Sequence, residues 1–172
     1  MYVYGSELAL STLTSCFTIL TISFVLGDIR IGLLFLFVFI SVRLFAGGFH
    51  ASTYVRCFIT SNLVYLCAFV CIRTLCTTNT LTIQIILLII SCILITLKGP
   101  IKNLHHPLSE KVYSKNRAIL RVVVPLEACC GLGLCLLTYD IIWLSSVAVS
   151  LFAVAVMMLF PLLSQWKGGA VS

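Results

Sequence analysis

Long apolar blocks alternate with short polar interruptions along this chain. The blocks fall at about residues 8–26, 29–49, 58–72, 80–97, 118–139 and 141–163. At about 20 residues per crossing, they predict six membrane-spanning helices. The first block is rich in hydroxyls (Ser11, Thr12, Thr14, Ser15, Thr18, Thr21, Ser23), which can back-bond within a helix or reach a neighbouring one. Gly27-Asp28 ends it. The second block is intensely apolar to Val42 but reaches full span length only by running through Arg43 and Gly47-Gly48, so a helix break is expected near 46–49. Ser61, Asn62 and Tyr65 give the start of the third block a polar face. Residues 73–80 are expected to form a short polar loop. Lys98-Gly99-Pro100 closes the fourth block, since Pro100 has no N–H to continue a helix. Residues 98–117 form the one substantial hydrophilic loop, Asp140 marks a tight turn, and Gln165-Trp166-Lys167 ends the sixth block at an interface.

Composition agrees with lipid as the solvent. Of 172 residues, 61% are hydrophobic and 9% charged, against roughly 25% charged in soluble domains. The expected fold is therefore an all-α polytopic integral membrane protein. It forms a single membrane-embedded domain over 1–172, with a broken or re-entrant segment around 43–57. Residues 1–7 carry no cationic cluster, which argues against a secretory signal peptide. The net charge of +6 does not point to nucleic acid, because the cations sit between apolar blocks. Six crossings put Arg43, Arg56, Lys98, Lys102, Lys111, Lys115, Arg117, Arg121 and Lys167 on one side and only Arg30 and Arg73 on the other. The positive-inside rule then places both termini, the long loop and the 43–57 stretch in the cytoplasm.

Nine cysteines stand at 16, 57, 67, 71, 76, 92, 129, 130 and 135. They form no CxxC pair and lie mostly in apolar blocks, unlike a secreted disulfide scaffold. No Cys/His group has the short spacing of a zinc site. Cys57 differs from the rest in its surroundings, Arg43-Leu-Phe-Ala-Gly-Gly-Phe-His-Ala-Ser-Thr-Tyr-Val-Arg-Cys57. Polar groups at membrane depth are costly unless satisfied, and they usually line a cavity or a site. A thiol becomes a nucleophile when a base takes its proton and cations favour the thiolate. His50 can be that base, and Arg43 and Arg56 those cations. A helix N-terminus near Ser52-Thr53 would add backbone donors. Seven residues of straight helix, however, separate His50 from Cys57 by about 10 Å, and direct proton transfer needs about 3 Å or one bridging water. The histidine must therefore precede the helix and fold back, the helix must bend, or His50 must serve a neighbouring protomer.

This stretch resembles the signature of the accessory gene regulator B (AgrB) family, membrane cysteine endopeptidases of Gram-positive bacteria that mature quorum-sensing peptides. Arg43, Gly47, Gly48, His50 and Cys57 match the family's arginine, Gly-Gly-x-His and cysteine seven residues on. Tyr4-Gly5-x-Glu7 resembles the segment that opens the family's first spans. Gly99-Pro100 with His106-Pro107-Leu108 resembles its basic cytoplasmic loop. The resemblance implies a multi-pass protein of the cell membrane whose partner is a short AgrD-like precursor peptide. Cys57, helped by His50, would cleave off the precursor's C-terminal tail through an acyl-enzyme thioester. A Cys or Ser of the precursor would then attack the thioester, giving a cyclic thiolactone or lactone. The scheme needs no cofactor.

Other residues are candidates for supporting roles. Ser61 and Asn62 could donate to an oxyanion or orient the histidine. Glu127, deep in the fifth block, is expected to face protein and to pair with Arg43 or Arg56. Lys102, Lys111 and Lys115 could receive an acidic precursor tail, or could simply attract anionic lipid. Small residues on helix faces leave room for a homodimer. The alternative to a peptidase is a small membrane transporter or peptide exporter without proteolytic activity, with Glu127 as its coupling site. A non-catalytic partner of a sensor protein is a third reading.

Overall fold

The computed structural model describes the backbone of residues 2–46, 54–78, 80–101 and 109–168, and side chains within 12–46, 55, 57–78, 80–101 and 109–159. The fold is all-α, as the apolar blocks predict. Its helices are α1 (Tyr2–Val25), α2 (Ile29–Ala46), α3 (Tyr54–Thr78), α4 (Leu81–Lys98), α5 (Glu110–Thr138) and α6 (Ile142–Gly168). Helices α2 to α6 are long and apolar enough to cross a membrane, and the described apolar stretch of α1 is Thr12–Val25.

Helix α6 is the centre of the bundle and packs against α2, α3, α4 and α5. Its run Leu144 to Leu151 is buried on every side, including Ser145, Ser146 and Ser150. Lipid gives apolar helices little drive to associate, so close approach over small residues and hydrogen bonds carries the packing. The serines and Ala148 provide that approach here. Helices α3, α4 and α5 instead turn most of their surface outward.

Each end of the bundle has its own chemistry. At one end Gly27, at φ +82°, turns α1 into α2, and Asp28 lies buried beside it. Asp28 pairs with Arg30 at 3.2 Å and with Arg73 at 3.8 Å, and Arg30 also reaches Asp140 at 3.1 Å. This network ties the α1–α2 turn to the end of α3 and to the α5–α6 turn. Asp140 also accepts from the N–H of Ile142 at 3.1 Å, which starts α6. At the other end α2 stops at Ala46, whose carbonyl accepts from the N–H of Ile101 at 3.0 Å. Arg30 and Arg73 therefore share one end, while Arg43 and Lys98, in the last turns of α2 and α4, share the other.

Several boundaries differ from those read in the sequence. Residues 73–78 continue α3 rather than forming a loop. The hydroxyls of Thr74, Thr77 and Thr78 donate to carbonyls three or four residues back, at 2.8 to 2.9 Å, so their polarity is satisfied within the helix. Likewise α5 begins at Glu110, and residues 110–117 are helix rather than loop. Lys111, Ser114 and Lys115 are exposed there, and polarity signals solvent contact, not the end of a helix. Helix α3 is described from Tyr54, ahead of the apolar block, and the helix N-terminus expected near Ser52-Thr53 lies outside the described residues.

A tight contact sets how α1, α2 and α3 register. Ser23 Oγ lies 2.6 Å from Tyr65 Oη, and it donates to the Ile19 carbonyl at 2.6 Å. Gly32 of α2 allows this, since a Cβ there would fall 2.0 Å from Ser23 Oγ. Tyr65 meets Phe35 edge-on at 5.1 Å, and Phe35 stacks on Phe39 at 5.0 Å. This aromatic column leads from the α1–α3 contact up to Arg43.

Candidate functional site

Arg43 stands in the last turn of α2, one helical turn beyond Phe39. Its guanidinium carbon sits 5.4 Å from the centre of the Phe39 ring, and its Nη1 donates to Met157 Sδ of α6 at 3.1 Å. The ring face and the sulfur are soft, polarisable partners for a cation drawn into an apolar bundle. Cys57 lies in the first turn of α3, the end of a helix whose dipole favours negative charge.

The two side chains share the wall of a cavity of about 380 Å³ among α1, α2 and α3. Ser61, one turn below Cys57, lines it as well. So do Thr12, Ser15 and Cys16 of α1, which the sequence did not mark as site residues. A larger cleft of about 500 Å³ between α3 and α6 is almost wholly apolar, and Cys67 and Cys71 face into it. Its size does not make it the better candidate. It lacks Cys57 and Arg43, and it has little to hold a polar reactant.

Register explains why these residues meet. Helices α1 and α3 both run toward the Asp28 end, so they pack in parallel. Ser23 and Tyr65 form one rung between them. Ser15 and Cys57 each lie eight residues before that rung, about 12 Å along either helix, and so stand at one level.

Glu127 is buried in α5, at 6% exposure. It faces protein, as expected. Its partner among the described residues is Ser41, whose hydroxyl donates to Oε1, while Oε2 has no hydrogen-bond partner. The expected pairing with Arg43 is not found: Arg43 turns to Phe39 and Met157. Ser41 and Arg43 are about 200° apart around α2, so Ser41 faces α5 while Arg43 faces the cavity. Asn62 is buried, and its amide donates to the Phe58 carbonyl at 2.8 Å. It is not part of the cavity wall. Lys111 and Lys115 lie on the exposed first turns of α5. Gly47, Gly48, His50, Lys102 and the side chain of Arg56 lie outside the described residues, and with them the separation of His50 from Cys57.

No curated protein and no solved structure matches the chain. The family model for Accessory gene regulator B matches residues 1–162. That match spans nearly the whole chain, so the chain belongs to the accessory gene regulator B family.

Proposed function

We propose that this protein is a membrane cysteine endopeptidase that cuts the C-terminal tail from a short quorum-sensing precursor and closes the remainder into a ring. The observation that carries this reading is the family match over residues 1–162. The shared cavity of Cys57 and Arg43 supports it. In this reading the bundle end bearing Cys57 and most of the cations faces the cytoplasm, in the cell membrane of a Gram-positive bacterium.

His50 takes the thiol proton, and the Cys57 thiolate attacks a peptide carbonyl of the precursor. Arg43 and Arg56 favour the thiolate. The tetrahedral adduct collapses, the leaving amine takes its proton from the His50 imidazolium, and the tail departs. The acyl chain remains on Cys57 as a thioester. A Cys or Ser side chain of the same acyl chain then attacks that carbonyl, and its proton passes through His50 back to the Cys57 sulfur as the ring closes. The second nucleophile is tethered, so its effective concentration is high. Exclusion of water by the surrounding bundle protects the thioester from hydrolysis. Lys102, Lys111 and Lys115 receive the acidic tail of the precursor, which is AgrD-like. Gly47-Gly48 lets the chain turn so that His50 approaches Cys57.

The test is the mass of the product formed in membranes holding this protein and its co-expressed precursor. Ring closure yields an N-terminal product one water lighter than the hydrolysed fragment. Recovery of only the open fragment, or of uncut precursor, contradicts the proposal.

Glu127 separates this reading from an exporter driven by an intramembrane carboxylate. Glu127→Gln keeps a polar group opposite Ser41 but cannot ionise. Cleavage is expected to stay within about threefold of wild type, a change of under 1 kcal/mol. A coupling carboxylate would instead lose its function with the same substitution.

A further inference from the structure

Ser15 stands out among the hydroxyls of α1. Thr18, Thr21 and Ser23 each donate to the carbonyl four residues back, at 2.9, 2.9 and 2.6 Å. Ser15 does not: its Oγ is buried with no hydrogen-bond partner, and the residue is 6% exposed. A buried hydroxyl without a partner destabilises a fold and calls for an explanation. Among the described residues Ser146 shares that state, but Ser146 lies in the core of α6. Ser15 lines the cavity that holds Cys57 and Arg43, at the level of Cys57 on the facing helix.

We infer that Ser15 is the hydrogen-bond donor for the carbonyl oxygen of the peptide bond that Cys57 attacks. The inference rests on the peptidase reading above and adds α1 to its active site. A peptide carbonyl in the cavity lies between the α3 thiol and the α1 hydroxyl. As the sulfur–carbon bond forms, the carbonyl π pair moves onto oxygen, and the Ser15 O–H meets the charge developing there. Ser61 also lines the cavity, but from the helix that carries the nucleophile. Asn62 is engaged with Phe58. Of the two α1 hydroxyls on the opposite wall, Thr12 already has an interaction of its own and Ser15 has no hydrogen-bond partner.

The experiment uses the full chain in detergent micelles and the tripeptide aldehyde acetyl-Leu-Leu-norleucinal. The Cys57 thiol adds across the aldehyde C=O, sulfur to carbon and proton to oxygen, giving a hemithioacetal whose oxygen occupies the position in question. Iodoacetamide alkylation of Cys57, followed by mass spectrometry of its peptide, reads how well the aldehyde protects. Ser15→Ala is expected to raise the half-protecting concentration about tenfold, the effect of one neutral hydrogen bond. Alkylation without aldehyde should stay within about twofold, as expected when only that donor is lost. Thr18→Ala, on the same helix but back-bonded, should change neither. The near-isosteric pair Ser15→Thr and Ser15→Val shares any packing penalty, and Thr should protect about tenfold better than Val. Equal protection in wild type and Ser15→Ala, strong or absent, overturns the inference, as does equal protection in the Thr and Val variants. If Cys57 proves dispensable for precursor cleavage, the peptidase reading itself has failed. If Cys57 is required and protection is insensitive to Ser15, only the Ser15 assignment has failed.

Discussion

Cys57→Ala is expected to abolish precursor cleavage, a loss on the order of 10⁴-fold or more, as when a covalent nucleophile is removed from its catalytic unit. Membrane insertion should be intact, because Cys57 is half-buried at a cavity wall and alanine is helix-compatible there. His50→Ala should be about as damaging, since residues that act as one unit do not contribute additively. The contrast lies on the same helix. Cys67 and Cys71 are exposed toward the apolar α3–α6 cleft, so Cys67→Ala and Cys71→Ala should cleave at the wild-type rate. Precursor and product are read on the same gel or mass spectrum for all four variants. If they behave alike, the assignment to Cys57 is wrong.

Gly32→Val should be the most damaging change away from the thiol. The added Cβ would fall 2.0 Å from Ser23 Oγ and 2.8 Å from Ser23 Cβ. The second distance cannot be relieved by rotating a side chain, so α1 must move off α2. Overpacking of this kind costs about 1–3 kcal/mol, and the broken Ser23–Tyr65 bond adds about 1 kcal/mol. The same shift would lift Ser15 away from Cys57, so cleavage should fall along with stability. Gly133 provides the comparison, with nothing within 4 Å of its Cβ position. Gly133→Ala should be neutral or stabilising by up to about 1 kcal/mol, from helix propensity. Thermal unfolding in detergent checks both. A Gly32→Val protein as stable as wild type would mean that the α1–α2–α3 register described above is wrong.

The sequence revealed what depends on composition over a whole helix. Six apolar blocks became six helices, and the described cations sort to two ends as counted, while the break expected near 46–49 lies mostly outside the described residues. It was less informative where polarity and helicity part company. Thr74, Thr77 and Thr78 look like a loop until their hydroxyls are seen bonded to the backbone of their own helix. Glu110 to Arg117 looks like a loop because that part of α5 is polar, although it is helical. Arg43 and Cys57 were legible as site candidates from residue type and spacing. Ser15 was not. It is one of seven hydroxyls in the first block, and which of them faces Cys57 depends on the α1–α3 register, set by Ser23, Gly32 and Tyr65. Glu127 was legible as a buried acid, but its partner was not, because Ser41 is an unremarkable residue in an apolar helix. The Asp28–Arg30–Arg73–Asp140 network was also missed, since its members look like ordinary turn and interface charges one at a time.

Of the nine thiols, Cys57 alone is expected to carry the precursor's acyl group. Mixing the protein with its precursor, quenching in acid and sequencing the cysteine peptides by mass spectrometry tests it directly. The expected result is a hydroxylamine-labile acyl adduct on Cys57, carrying the precursor's N-terminal portion and lost in His50→Ala. An adduct confined to any other cysteine, or cleavage that proceeds with Cys57 never acylated, would contradict it.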